Sequence, residues 1–529
     1  MQQFKDSVEY DGQRYTVAMP KRPSILQLSN NLEIARNRLI AKRRSLSRNQ
    51  ESFRRYDAEI SKFLMEGHAE EVHVDNLSAP SARDRSYYLP HRQVITQRAH
   101  GDKWRIVFDG SAAAPGETSL NSHLLTGPNL NPDILKLMLN FRLRPVALSA
   151  DVAQAYMTIN LVEEDRPYFR YLWQGPQDKE VRCFQMRKVV WGATPSGFLL
   201  AAVLREHFGR IDPESKFDLG NSFYFDDMLR SFDSIEDARH FVEKLIPWMR
   251  AAGMTLGKWK SNSEEILQHV NSITSSGCTP GLVETGLLKV LGIAWSPGED
   301  SFHFQLADLV KTTTDIKRVT KRNVLRIVAS IFDPIGWLTP FTLRGKLLIQ
   351  RLWDTKLRWD DAMSGALLQD FTTWSSEIPM LTTLSLPRSC WDTQRKITSY
   401  HLHVFGDASE RAYAACAYLQ GIYANGGSSC MLVMSKSRVA PRDGTTLPRL
   451  ELLSALLGAR LRSFIIERLS VSVERVFHYT DSTVAFHWCT STDPTKWKTF
   501  VCNRVIEIQR LSSPSEWFHV PGKEKIPNW

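Results

Sequence analysis

Two aspartates stand side by side at Asp226-Asp227, with Phe223-Tyr224-Phe225 before them and Met228-Leu229 after. β-formers flanking an acidic pair predict a hairpin whose tight turn pushes both carboxylates out together. Like charges held that close repel, and neither stays ionised cheaply without a cation between them. Mg²⁺ suits that place, because it takes one or two carboxylates together with substrate phosphates. An acidic turn on a bare surface needs no cation, so the rest of the chain has to separate the two readings.

At 529 residues the chain is too long for one core, and about three domains are expected. No apolar run reaches the ~18 residues of a membrane helix, and the start, Met1-Gln2-Gln3-Phe4-Lys5-Asp6-Ser7, lacks the pattern of a secretion signal. Seven scattered cysteines form no C-x-x-C pair, which argues against a disulfide framework or zinc site and for a reducing, intracellular location. The net charge of +10 leans toward polyanionic partners.

Residues 1–85 read as a helical leader. Asn30 and Glu33 have the spacing of a capping box, and Leu32, Leu39, Leu46 and Phe53 recur every seven residues as a narrow apolar stripe. Around it, Arg36, Arg38, Lys42, Arg43, Arg44, Arg48, Arg54 and Arg55 form either a solvated face or a phosphate-contacting one. From Tyr87 to about Trp295, short β-like runs alternate with turns. Lys103–Asp109 has edge-strand alternation, Val146–Asp151 is a small apolar strand ending on a carboxylate, and Phe198–Phe208 and Ile235–Met249 read as helices. Further helices are expected at Lys321–Ile331 and Thr342–Trp353, with a break at Asp333-Pro334-Ile335-Gly336. Leu386–Gln394 reads as a linker, and residues 396–529 alternate strands and helices like a compact α/β unit.

Asp151 supplies the acidic pair with a third carboxylate. A strand ending on an acid, beside a hairpin carrying two more, gathers three acids around a pair of metals that can clamp the attacking and leaving oxygens of a phosphoryl transfer. Such a reaction asks the protein mainly for positioning and charge stabilisation.

The ordered series Lys103-Trp104-Arg105, Asp151-Val152-Ala153-Gln154-Ala155-Tyr156, Trp191-Gly192, Tyr224-Phe225-Asp226-Asp227, Gly253-Met254-Thr255-Leu256-Gly257-Lys258-Trp259 and Leu291-Gly292 resembles a reverse transcriptase. More narrowly, Tyr88-Leu89-Pro90-His91, Arg105-Ile106-Val107-Phe108-Asp109-Gly110-Ser111-Ala112 and Ala329-Ser330-Ile331-Phe332-Asp333-Pro334-Ile335-Gly336 are similar to BEL/Pao-type LTR retrotransposon polyproteins. The resemblance runs from about residue 10 to 521. It implies a multidomain α/β and α+β chain, a right-hand polymerase followed by a ribonuclease H-like domain. Residues 1–85 would be the leader or fingers extension, 86–295 fingers and palm, 296–395 thumb and connection, and 396–529 the ribonuclease H-like unit.

The resemblance also implies roles. Asp151, Asp226 and Asp227 would hold the catalytic ions, and Arg105 would grip the incoming triphosphate, where a bidentate guanidinium suits phosphate oxygens. Tyr156 would stack under the sugar and crowd a 2′-hydroxyl, with Trp191 and Gly192 beside the nucleotide and template. Lys258 would protonate the leaving pyrophosphate, and Leu291-Gly292 would open the turn that holds the primer end. Two positions depart from the family wording: Gly197 stands where Pro is usual after Ser196, and Phe225 is bulky where smaller aliphatics are commoner.

In the C-terminal unit, Asp407 ends a strand, Glu451 lies inside an apolar helix-like run, and Asp481 follows another strand, where it could also cap the next helix. A buried glutamate is costly unless paired or bound to metal. The order strand-Asp, helix-Glu, strand-Asp resembles ribonuclease H, which cuts the RNA strand of a hybrid by the same two-metal chemistry. Relatives carry a fourth carboxylate soon after a His-Val-Pro start. Here His519-Val520-Pro521 is followed by Gly522-Lys523-Glu524, and Glu524 does not match, so this domain reads as truncated.

The leading expectation is therefore an RNA-directed DNA polymerase with two Mg²⁺ (or Mn²⁺) ions per active site. It would act on an RNA template with a DNA primer, on RNA–DNA hybrid and on dNTPs, away from membranes, in the cytoplasmic particle of a retrotransposon. The second reading is a catalytically inactive nucleic-acid-binding remnant of a decayed element.

Overall fold

The computed structural model describes residues 1–73, 85–96, 102–274, 288–290, 292–392, 395–442 and 444–521. The N-terminal apolar stripe is buried, but by two helices: α1 (Leu32–Leu46) and α2 (Gln50–Met65). The chain breaks between them because the Asn49 side chain accepts from Ser52 N–H and restarts the helix. The capping box at Asn30 does not form. Asn30 Oδ1 instead takes the N–H of Leu32, while Asn31, left-handed at φ 58°, opens the helix and donates from Nδ2 to the Tyr88 carbonyl.

The first segment is tied into the chain that follows it. Tyr15–Val17 pairs in parallel with Asn160–Leu161, and Ala69–Glu71 pairs with Arg182–Met186. Part of the basic face is spent on cross-links, with Arg38 on Asp109, Lys42 on Gln93 and Arg43 on Gln174. Strand pairing of residues far apart in sequence leaves no local pattern, which is why the segment looked separate.

Strand β1 (Lys103–Phe108) forms a hairpin with His91–Thr96. The palm sheet holds β2 (Val146–Val152), β3 (Asp227–Phe232) and β4 (Leu256–Ser261), with the short strand Phe223–Tyr224 at one edge, all antiparallel. Helix α3 (Ser196–Ile211), mostly buried, and the amphipathic helix Ile235–Ala251 pack against it. Past Lys321–Ser330, the Asp333-Pro334-Ile335-Gly336 turn leads into α4 (Thr339–Trp353).

The C-terminal unit is a five-stranded sheet: β5 (Ile397–Ala408), β6 (Ala412–Tyr423), β7 (Ser428–Val439), β8 (Val473–Thr480) and β9 (Trp517–His519), in the order β7-β6-β5-β8-β9. The first three are antiparallel, and β8 and β9 run parallel to β5. Helix α5 (Leu447–Ile466) lies on one face.

The expected linker Leu386–Gln394 is not one. Ser385–Pro387 is an edge strand beside Ser301–His303, and Arg388 is fully buried. Its guanidinium grips Asp300 through Nε and Nη2 at 2.6 and 2.8 Å and donates to the carbonyls of Phe141, Arg144 and Pro145 at 2.6–2.8 Å. Thr393 and Gln394 lie outside the described residues. Polar residues without periodicity suggested a solvated strap, but their partners sit in other elements. One buried apolar cluster then runs from the palm (Phe141, Ala147, Leu229) through Trp295 and Phe302 to Leu402, Val404 and Leu419 of the C-terminal unit.

Candidate active sites

Tyr224 pairs with Asp227 across a two-residue turn, Phe225-Asp226. The first turn position needs a positive φ, and Phe225 adopts it at 53°, a conformation costing an L-residue roughly 1–2 kcal/mol. Its N–H donates to Asn131 Oδ1 at 3.0 Å. Across the sheet Asp227 lies opposite Asp151, and Val152 N–H reaches the Asp226 carbonyl at 2.7 Å. The three acids thus meet at one corner of the palm. Burial, then the neighbouring Asp226 and Asp151, pushes the Asp227 carboxyl up to about 6. Burial also raises Asp226, with Asp151 adding to it and Lys258 and Arg105 opposing.

Lys258 sits on a β-bulge with φ 50° and pairs with Asp151. It lies on a carboxylate rather than standing clear of the acids. An all-oxygen set of half-buried carboxylates, with Asp226 and Asp227 held up by burial, fits a hard divalent cation, and a lysine is what offsets them here.

Around the acids, Arg105 is exposed on β1, with its charge felt at Asp226. Gln154, left-handed at φ 50°, turns the chain after β2 so that Tyr156 comes back beside the acids. The Tyr156 ring meets Trp191 edge-on at 5.2 Å, and burial with Asp226 nearby pushes its hydroxyl up to about 12. Gly192 has φ 105°, and a Cβ there would collide with the Phe108 carbonyl, so glycine alone lets this loop close on β1. Asn121 fixes the same loop, donating to the Gly192 carbonyl and accepting from Thr194 N–H, each at 2.9 Å. Asn121 and Asn131 were not legible in the sequence: each is one polar residue, in a single helical turn and in a loop, paired with backbone dozens of residues away. Leu291 lies outside the described residues, while Gly292 backs onto the Phe332 ring.

The second centre lies in the C-terminal unit. β5 and β8 are adjacent and parallel with Phe405 registered to Tyr479, so Asp407 and Asp481 each emerge two residues beyond a matched pair. Gly406 admits α5 closely, since a Cβ would stand 2.7 Å from Ser454 Oγ, and Ser454 donates to the Ala414 carbonyl at 2.7 Å. Glu451, one turn earlier and 7% exposed, is thereby carried to the two aspartates. Ligand oxygens of Asp407, Glu451 and Asp481 all lie within 4.8 Å of one another. Asp481 does not cap the next helix; Ser482 does, accepting from Ala485 N–H. A cavity of about 520 Å³ opens beside Asp407 between Phe405, Tyr418 and Tyr479 of the sheet and Leu343 and Arg344 of α4. Glu524 lies outside the described residues.

The pattern of the family described as reverse transcriptase (RNA-dependent DNA polymerase) matches residues 121–293. That of the Pao retrotransposon-like RNaseH-like domain matches residues 320–482. No curated protein matches the chain. Among solved structures, the foamy viral protease-reverse transcriptase in complex with dsDNA is similar at 13% identity and a TM-score of 0.54, over 89% of this chain and 82% of that one. Its complex with an RNA/DNA hybrid gives 14% and 0.53, over 91% and 55%. The dRH form with dsDNA gives 13% and 0.52, over 88% and 69%. Reverse transcriptases use divalent metal, and Asp407, Glu451 and Asp481 form an acidic cluster that could hold an ion. No helix among the described residues is long and apolar enough to cross a membrane.

Proposed function

We propose that this chain, a reverse transcriptase domain joined to a Pao retrotransposon-like ribonuclease H-like domain, extends a DNA primer on an RNA template in a retrotransposon particle of the cytoplasm. The observation that carries the reading is the register placing Asp227 opposite Asp151, with Asp226 in the turn between. Asp151, Asp226 and Asp227 would hold two Mg²⁺ or Mn²⁺ ions, which supply charge for the attacking 3′-oxygen and the leaving pyrophosphate. Arg105 takes the triphosphate of the incoming dNTP, and Tyr156, braced by Trp191, crowds a ribose 2′-hydroxyl. Lys258 releases Asp151 when the acids are neutralised and is then free to give a proton to the pyrophosphate. Asp407, Glu451 and Asp481 would hold the ions for cutting RNA in the hybrid.

Support for a duplex partner comes from the foamy viral complexes with dsDNA and RNA/DNA hybrid and from the chain's net charge of +10. Binding of this kind is salt-dependent and largely blind to sequence. The test is primer extension on RNA by the purified chain. Incorporation should require Mg²⁺ or Mn²⁺ and vanish in Asp226→Asn. A chain that shifts hybrid in a gel yet adds no dNTP with either metal is a binding remnant, and the polymerase reading fails.

A further inference from the structure

We infer that Gly197 is a positioning residue for the catalytic turn: its missing side chain is the space in which Phe225 holds the Asp226-Asp227 hairpin. The inference rests on the polymerase reading of that hairpin. A phenylalanine at positive φ has to be held there. Its N–H is tied to Asn131 Oδ1 at 3.0 Å, and Tyr224 lies against its ring at 5.0 Å and 87°. The third wall is the first turn of α3. A Cβ on Gly197 would stand 2.9 Å from Phe225 Cε1, too close for either group to stay where it is.

The helix cannot be the one to yield. Ser196 Oγ is bonded to the Val190 carbonyl at 2.7 Å, and the Phe198 ring is wedged over Gly127, where no Cβ fits. Residues 196 and 198 thus fix the turn that carries Gly197, and any added bulk is passed to the Phe225 ring. That ring is one peptide unit from Asp226, whose carbonyl is bonded to the strand of Asp151. The same helical turn follows directly from the Trp191-Gly192 loop, so the nucleotide side and the metal side of the site share one anchor. Positions 197 and 225 are then a matched pair: a large residue at 225 requires none at 197.

Four proteins test this: the full chain as it stands, Gly197→Ala, Phe225→Ala and the double variant. Each is measured for kcat, KM for dNTP, and unfolding midpoint in denaturant. Gly197→Ala is expected to lower kcat roughly tenfold or more, because small misplacement of a reacting group is costly, with KM changed little. In the double variant kcat should return to that of Phe225→Ala alone. Full activity in Gly197→Ala, or a double variant whose loss is the product of the two single losses, overturns the pairing. Unfolding midpoints decide the contact without catalysis: Gly197→Ala should lower the midpoint when Phe225 is present and not when Ala replaces it. An unsubstituted chain that adds no dNTP sinks the polymerase reading, while those midpoints still judge the contact. Equal midpoint changes in both backgrounds refute it.

Discussion

His91 is half-buried at the start of the strand paired with β1, with Tyr56 donating to Nδ1 at 2.6 Å and its own Nε2–H donating to the Leu172 carbonyl at 2.9 Å. The carbonyl fixes the tautomer, so the ring is neutral and has no room for a second proton. Burial holds its pKa down at about 4, against an ordinary 6.5. Stability from the neutral ring is complete above pH 6.5 and is lost as pH falls toward 4, a span worth about 3 kcal/mol. The denaturation midpoint should drop across that window, and His91→Gln should flatten part of the drop. His91 belongs to the Tyr88-Leu89-Pro90-His91 wording noticed in the sequence, and its work is architectural. The three acids at the palm corner were legible because each ends or follows a short β run. Asn131 was not, and Gly197 and Phe225 stood out only as two separate departures, because the contact that joins them links residues far apart in sequence.

At the scale of elements, turns carry the function and tolerate little. Gly192→Ala adds a Cβ to a φ of 105° and drives it into the end of β1. A loss exceeding about 2 kcal/mol is expected, together with a raised KM for dNTP, both measurable on the purified protein. Asp333 gathers the N–H groups of Gly336, Trp337 and Leu338 at 2.6–2.9 Å and so starts α4. Gly336 then lies flat on edge strand β7, where Ser435 N–H reaches the Ile335 carbonyl at 2.9 Å. The sequence marked this stretch only as a break between helices. It is also the cover of an exposed sheet edge, and Asp333→Ala should expose that edge and promote self-association in sedimentation. Helix and strand existence came through from periodicity. Caps and pairing partners did not, as at Asn30 and at Tyr15–Val17, because they depend on chain that is distant in sequence.

Across the whole molecule, the polymerase and the C-terminal unit are not beads on a strap. Arg388, fully buried, pairs with the half-buried Asp300 and caps three palm carbonyls, and Arg142 reaches from the palm to the Leu432 carbonyl of β7 at 2.8 Å while its guanidinium covers Trp337. Removing Arg388 leaves three carbonyls short of a donor and Asp300 without its guanidinium, at about 1–3 kcal/mol for a group that stays shielded from water. Arg388→Met should therefore lower the unfolding midpoint and split a single transition into two, one for each unit. Pairing it with Asp300→Asn should recover part of the loss.

A junction that stiff makes the protein a ruler. The corner of the palm where a primer would end and the acids at the tip of β5 are joined through one buried core, so a duplex that lay across both would be measured each time it was bound. Cuts in its RNA strand should fall at a constant number of base pairs behind the growing end. Loosening Arg388 should blur that length into a ladder of fragments.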